Sequence, residues 1–203
     1  MTQATYKPTT DDVKRLREAT GAGMLDCRNA LAGAMGDYDV AKKHLIDQGV
    51  AKVSKKAERV AKEGLVGSYI HVGGKVGVLV EINCETDFVA RNERFQELVR
   101  DIAMHVAAMP VEYVDRASVP QERIDGVRAE LAKNVPEGKP PSVIERIIEG
   151  KLNKWFEEHV LLDQPFVKSE DGSTVAELIG SVVGILGEKI HVRRFSKFAL
   201  GEE

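Results

Sequence analysis

Along this chain the spacing of apolar residues changes period several times, and each change predicts an element. Residues 75–82 alternate, with Val76, Val78, Val80 and Ile82 on one side, and such β-branched side chains suit a pleated, half-buried strand. From Phe95 the repeat lengthens, so that Phe95, Leu98, Val99, Ile102 and Val106 fall on one stripe of a helix over residues 92–109. Residues 83–93 between them read as a strand-to-helix corner. The corner is mostly polar and carries one large aromatic, Phe88. Spacing alone favours Phe88 as a staple into the core, with Thr86 capping the next turn and Asp87 at its positive end. The alternative is an aromatic standing at a loop tip as the anchor for a partner's pocket.

Ahead of the corner, residues 1–50 predict a module of three short helices. Thr10 can cap the first, whose apolar side carries Val13, Leu16 and Ala19, and Gly21-Ala22-Gly23 breaks it. The second, residues 24–34, carries Cys27, Ala30 and Leu31; the break before it projects Met24 and Leu25. The third, residues 39–48, carries Val40, Ala41, Leu45 and Ile46, with Asp39 as cap and Gly49 as stop. So small a core is marginal, and the module is expected to lean on another surface. Residues 51–64 interleave Lys52, Lys55, Lys56, Arg59 and Lys62 with small apolar residues and fit a basic helix or a basic linker at a domain boundary, its charges forming a solvated face.

A core of residues 65–203 follows. Residues 65–72 and 75–82 predict a hairpin about Gly73-Gly74, the composition of a two-residue turn. Residues 122–134 and a long helix opened by the capping-box pattern Ser142-Val143-Ile144-Glu145 predict an antiparallel helical hairpin at about 120–160, turning at 136–141. Residues 164–167 read as a short extended piece. Thr174-x-x-Glu177 opens another helix, Gly187 closes it, and residues 189–200 form a last strand. This order predicts an α+β fold in which an antiparallel sheet is backed by helices.

Composition narrows the function. With 43% hydrophobic residues the 203-residue chain is no disordered polymer, and 30% charged residues give it a solvated surface. The net charge of −3 provides no basic field to recruit nucleic acid. No apolar run reaches the roughly 18 residues that span a bilayer, and the N-terminus lacks a leader's apolar region, so a cytoplasmic location is expected. Two isolated cysteines, Cys27 and Cys84, build neither a disulfide framework nor a zinc cluster. Gly21-Ala22-Gly23-Met24-Leu25-Asp26 lacks the third glycine and the preceding strand of a dinucleotide fingerprint. The five histidines never recur at helical metal-ligand spacing, and no nucleophile elbow is present. An enzyme is not expected, and neither a metal nor a cofactor is implied. His105, within Ala103-Met104-His105-Val106-Ala107, reads as a packed and hydrogen-bonded side chain. A helical adaptor using Met24 and Leu25, or a nucleic-acid-binding protein using the run from Lys52 to Lys62, stays open on these grounds.

Several segments carry a more specific resemblance. The run Thr20 to Cys27 (TGAGMLDC), the corner Asn83 to Ala90 (NCETDFVA), Ile102 to Ala108, Gln164 to Val167 and Glu188 to Arg194 together resemble bacterial translation elongation factor Ts, in order and over nearly the whole chain. The resemblance implies a ubiquitin-associated-like three-helix module and an α+β core. Its implied activity is guanine-nucleotide exchange on elongation factor Tu: the factor binds Tu in its GDP-bound and nucleotide-free forms, without direct nucleic-acid or membrane contact. It further implies that Thr86, Asp87, Phe88 and Val89 form the segment that dislodges Mg²⁺ from the partner. Arg17, Met24, Leu25 and Arg28 in the module, His105 beside the corner, and Val167 with Lys168 are implied as further partner contacts. Leu25 stands where the family usually has a second Met, and Lys168 where some members are apolar. The chain is shorter than members with a doubled core, a coiled coil and a C-terminal module. Its single core is expected to leave an edge and an apolar face near residues 189–200, which a homodimer would cover.

Overall fold

The computed structural model describes residues 6–56, 58–134 and 140–202, with residues 50–52, 54 and 55 as backbone alone. The first helix, α1 (Thr10–Thr20), is capped by Thr9, whose hydroxyl accepts from the Asp12 amide while the Asp12 carboxylate accepts from the Thr9 amide. The cap therefore lies one residue before the expected Thr10, because Asp12 completes a reciprocal box only with Thr9. Gly21 ends α1 in the left-handed region (φ 66°), and α2 (Met24–Gly33) follows. Val13, Leu16, Cys27, Ala30, Leu31, Ala41 and Leu45 close a small core between these helices and α3 (Tyr38–Lys56). Val40, expected on the apolar stripe, is instead 55% exposed.

Two expectations about α3 are corrected. Its first turn is capped by Asp37, which accepts from the amides of Asp39 and Val40, rather than by Asp39. It also runs through Gly49, the expected stop, to Lys56, so that residues 51–56 take the helical one of the two forms expected for the basic run. Gly49 serves a different purpose. A Cβ there would lie 2.7 Å from the Gly180 carbonyl oxygen, so the missing side chain lets α3 pack backbone to backbone on α8 (Val175–Leu186). The side chains of Lys52 and Lys55, part of the expected basic run, lie outside the described residues, as do residues 136–139 of the expected turn.

Strands β1 (Glu63–Ile70), β2 (Val76–Cys84) and β3 (His191–Ala199) form one antiparallel sheet in the order β1-β2-β3. The hairpin between the first two is wider than the glycine pair predicts. His71 pairs with Val76, so residues 72–75 form the turn, with Gly73 (φ 93°) and Gly74 (φ 70°) supplying the positive dihedrals. On one face Val78, Val80, Ile82 and Cys84 pack with Phe95, Leu98, Val99, Ile102 and Val106 of α5 (Glu93–Ala108) and with Val175, Ile179, Val182 and Val183 of α8. The alternation read from the sequence is the core-facing side of the central strand. The other face leaves Val66, Ile70, Leu79 and Phe198 exposed. The register places Ile70, Gly77 and Phe198 in one cross-strand row and Ser68, Leu79 and Ser196 in the next.

The helical hairpin consists of α6 (Gln121–Lys133) and α7 (Pro141–His159), joined across their length by the Arg128–Glu149 ion pair at 2.8 Å. Its own core contains Val119, Val127, Leu152, Phe156 and Val160. The expected Ser142 capping box does not form. Pro141 occupies the first helical position, where its fixed φ and absent N–H cost nothing, and this places Ser142 inside the helix. The Thr174–Glu177 box at α8 forms with both reciprocal bonds, and Gly187 (φ 76°) ends that helix as expected. Among the described residues the architecture is α+β, with a three-helix module ahead of a sheet backed by helices.

Candidate partner-binding surface

The strand-to-helix corner is where this scaffold exposes its most prominent aromatic. After Cys84 the chain leaves the sheet and makes a four-residue helix, α4 (Asp87–Ala90), before Asn92 caps α5. Within α4 the neighbours divide sharply: Val89 and Ala90 are buried, whereas Phe88 is 79% exposed. Val89, not Phe88, is the staple. A helix of one turn has no period from which to read its inward face, so the burial expected for Phe88 from its type is overturned by the geometry. Asp87 pairs with Arg91 at 2.8 Å, but both side chains are well exposed and the pair contributes little stability.

The corner is held from far along the chain. One oxygen of the Glu188 carboxylate accepts from the amides of Glu85 (3.0 Å) and Thr86 (3.0 Å), and the other accepts from the Thr86 hydroxyl (2.6 Å). Thr86 Oγ1 in turn accepts from the Val89 amide at 3.4 Å. The arrangement is reciprocal: Glu85 Oε1 accepts from the Lys189 amide (2.6 Å) and from Arg59 (3.3 Å). The Lys189 amide bond, helped by the Arg59 guanidinium, holds the Glu85 carboxyl below its ordinary pKa. Beneath the corner, burial pushes the Cys84 thiol up to about 11, with the Glu188 charge adding to the shift, so this cysteine stays protonated at neutral pH.

The N-terminal module presents a second projecting apolar group. Met24 and Leu25 open α2, 40% and 63% exposed, and with Arg28, Tyr6 and Val13 they line one groove. Arg17 lies on the exposed side of α1. The third group divides into one surface residue and its buried support. His105, which the resemblance implies as a contact, has no exposed surface. Its Nδ1 accepts from the Val167 amide at 3.1 Å and its Nε2 lies 2.8 Å from Gln164 Oε1, which fixes the proton on Nε2. Burial holds its pKa below the ordinary histidine value, and the Gln164 bond only partly offsets this. His105 is thus buried in this chain and holds the amide of Val167, which is itself 44% exposed. Lys168 beside it pairs with Asp101 at 2.7 Å.

Reasoning from the sequence missed Glu85, Glu188 and Gln164 as supports. No local pattern joins residues 59 to 103 positions apart. Comparison with known proteins adds to the geometry. The family described as Elongation factor TS matches residues 49–202. The elongation factor Ts of Geotalea uraniireducens is 51% identical over 195 residues, covering 96% of this chain and 90% of its own length. Those of Carboxydothermus hydrogenoformans and Moorella thermoacetica are each 52% identical, covering 96% and 94% of this chain and 89% and 94% of their own lengths. These spans take in the three-helix module as well as the core. A chain so matched, with the TDF corner standing exposed on its sheet, belongs to the elongation factor Ts family of protein-biosynthesis factors.

Proposed function

We propose that this protein is a guanine-nucleotide exchange factor for elongation factor Tu, working in the cytoplasm, and that it acts by contact rather than by covalent chemistry. The observation that carries the reading is Phe88, a large aromatic left 79% exposed on a corner whose backbone is fixed. The three-helix module docks through Met24, Leu25, Arg17 and Arg28, while the core brings Asp87 and Phe88 to the partner's nucleotide side. Val167 and Lys168 make a third contact. Mg²⁺ demands near-ideal octahedral geometry and is held by protein and phosphate oxygens together, so a small displacement beside it loosens metal and GDP at once. Burying Phe88 in the partner supplies roughly 1.5–3 kcal/mol. A thousandfold faster GDP release needs about 4 kcal/mol off the barrier, so the module must contribute the rest. The coupling is reciprocal: GDP must weaken this protein's hold on Tu by the factor with which this protein weakens GDP.

The test is release of labelled GDP from elongation factor Tu with saturating wild type or Phe88→Ala, at millimolar Mg²⁺ and again with chelator. With Mg²⁺ the substitution should slow release about tenfold to a hundredfold, the equivalent of the lost burial. Under chelation the two proteins should converge. Equal defects in both conditions would refute Mg²⁺ displacement as the role of Phe88, and no acceleration by the wild type would refute exchange itself.

The outer sheet face supports a homodimer as well. Val66, Ile70, Leu79 and Phe198 are exposed together on one pleated surface, the kind of apolar patch that a two-fold copy covers. Light scattering should give twice the monomer mass at micromolar concentration, and Leu79→Lys should return it to the monomer value.

A further inference from the structure

We propose that Glu188 is a positioning residue for the exchange corner: its carboxylate, bonded to the backbone of residues 85–86, sets the direction in which Phe88 leaves the protein. This rests on the reading of Phe88 as the group inserted into the partner.

The need for such a device follows from the size of α4. A single helical turn fixes several backbone dihedrals for one or two hydrogen bonds and does not persist by itself in water. Val89 and Ala90 give the turn its inward face and Cys84 Sγ donates to the Thr86 carbonyl at 3.1 Å, but no side chain of the turn itself fixes the backbone that leads into it. The outward side chains give no help, since Asp87 bonds only to Arg91 on the same exposed surface. What enters the turn is therefore decisive, and the entry is where Glu188 acts. Its two oxygens take the amides of Glu85 and Thr86 and the hydroxyl of Thr86, so position, plane and side-chain rotamer of the capping residue are set by one group. Bonds from N–H and O–H donors to an ionised carboxylate are among the stronger ones available. With its proton committed to Glu188, Thr86 Oγ1 keeps its lone pairs toward the Val89 amide, and the cap that starts α4 is completed.

Glu188 is itself held in place. It follows Gly187, the left-handed residue that closes α8, whose carbonyl accepts from Lys56 at the end of α3. The Lys189 amide, next along, donates to Glu85. Each of the two glutamates thus bonds to the backbone beside the other, and the β2–α4 corner and the α8–β3 turn form one unit. Sequence separations of 102 and 103 residues make this a tertiary lock that exists only in the folded core.

The experiment compares full-length wild type, E188A, E188Q, F88A and the double variant E188A/F88A by two readouts: GDP release from elongation factor Tu across a range of factor concentrations, and hydrogen exchange of the Glu85 and Thr86 amides. E188A should raise amide exchange at both positions by tenfold or more and lower the saturating release rate about fivefold to twentyfold, while the half-saturating concentration stays within about twofold. E188Q, which keeps one acceptor oxygen, should fall between. In the F88A background E188A should change the saturating rate by less than twofold, because there is no aromatic left to aim. An equal loss in both backgrounds would overturn positioning of Phe88, and unchanged amide exchange in both E188A and E188Q would overturn the lock. If F88A alone releases GDP as fast as wild type, the reading of Phe88 fails separately, and the amide data still decide whether Glu188 holds the corner. Should E188A fail to fold, E188Q carries the same comparisons.

Discussion

Two of the apolar groups that this protein holds out to solvent, Met24 with Leu25 and Phe88, are supported in opposite ways. Met24 and Leu25 stand out because the backbone before them is permissive: Gly21 turns left-handed, Gly23 caps α2 without a side-chain bond, and Thr20 bonds the Ala22 amide from two residues away. Everything that projects them lies within a few residues. Phe88 stands out because a carboxylate from the other end of the core grips its corner. The first arrangement is set by its own short stretch of backbone, which suits the docking proposed for it. The second yields one orientation, which suits a group that must press on a particular element of its partner.

That contrast is most exposed by separating affinity from rate. Phe88→Ala should lower the saturating rate of GDP release by tenfold or more while changing the half-saturating concentration little. Met24→Ala should do the reverse, weakening binding by about 1–2 kcal/mol, roughly fivefold to thirtyfold, with the saturating rate retained. Stopped-flow release over a range of factor concentrations measures both, and a common pattern for the two variants would erase the distinction. A smaller effect is expected from the glycine. Gly21→Ala places a side chain at φ 66° with its Cβ 2.2 Å from the Ile185 methyl, which is the movable end of a partly exposed chain. A stability loss of about 1–2 kcal/mol should follow, visible as a melting shift of a few degrees. The saturating release rate should stay unchanged; a fall matching that of Phe88→Ala would show that the module also does the work of the corner.

The smallest effect concerns His105 and pH. Its folded pKa is depressed, so its neutral form is favoured by folding: the stability it supplies is complete above its unfolded value of about 6.5 and is lost as pH falls through the folded value. Urea midpoints should drop between pH 7.5 and 5. They should drop less in His105→Asn, whose carbonyl oxygen can still accept from the Val167 amide. A residual slope is expected from His191, whose pKa burial also lowers. An identical slope in variant and wild type would show that His105 is not the group titrating.

How much of this was legible in the sequence depended on the distance over which each feature is decided. The strand of Val78, Val80 and Ile82 and the stripe from Phe95 to Val106 are repeats that report their own buried faces, and both took the predicted positions. The Thr174 cap, the Gly187 stop and the break of the first helix at Gly21 are set by adjacent residues and were equally readable. Gly49 was misread because a glycine that ends a helix and one that admits another helix look alike until the second helix is in place. Phe88 was misplaced for a related reason, since one turn holding Phe88 and Val89 side by side contains no signal for which of them faces inward. Resemblance brought both Phe88 and His105 forward, and neither its motif nor the spacing of the apolar residues shows that Phe88 lies at the surface and His105 beneath it, bonded to the Val167 amide.

The close approach of Gly49 to Gly180 has a further consequence when the molecule is treated as a bivalent ligand. The Lys42–Asp171 ion pair and the bond from Lys56 to the Gly187 carbonyl also join α3 to the core, so the two proposed docking groups sit on a stiff spacer rather than a flexible tether. Once one end has bound, the other faces its site at an effective concentration set by how well the fixed span matches the partner, high when it fits and negligible when it does not. On the proposed mode of binding, a larger residue at position 49 would keep each docking side chain yet lengthen that span, and so lower the avidity of the pair toward the affinity of either end alone.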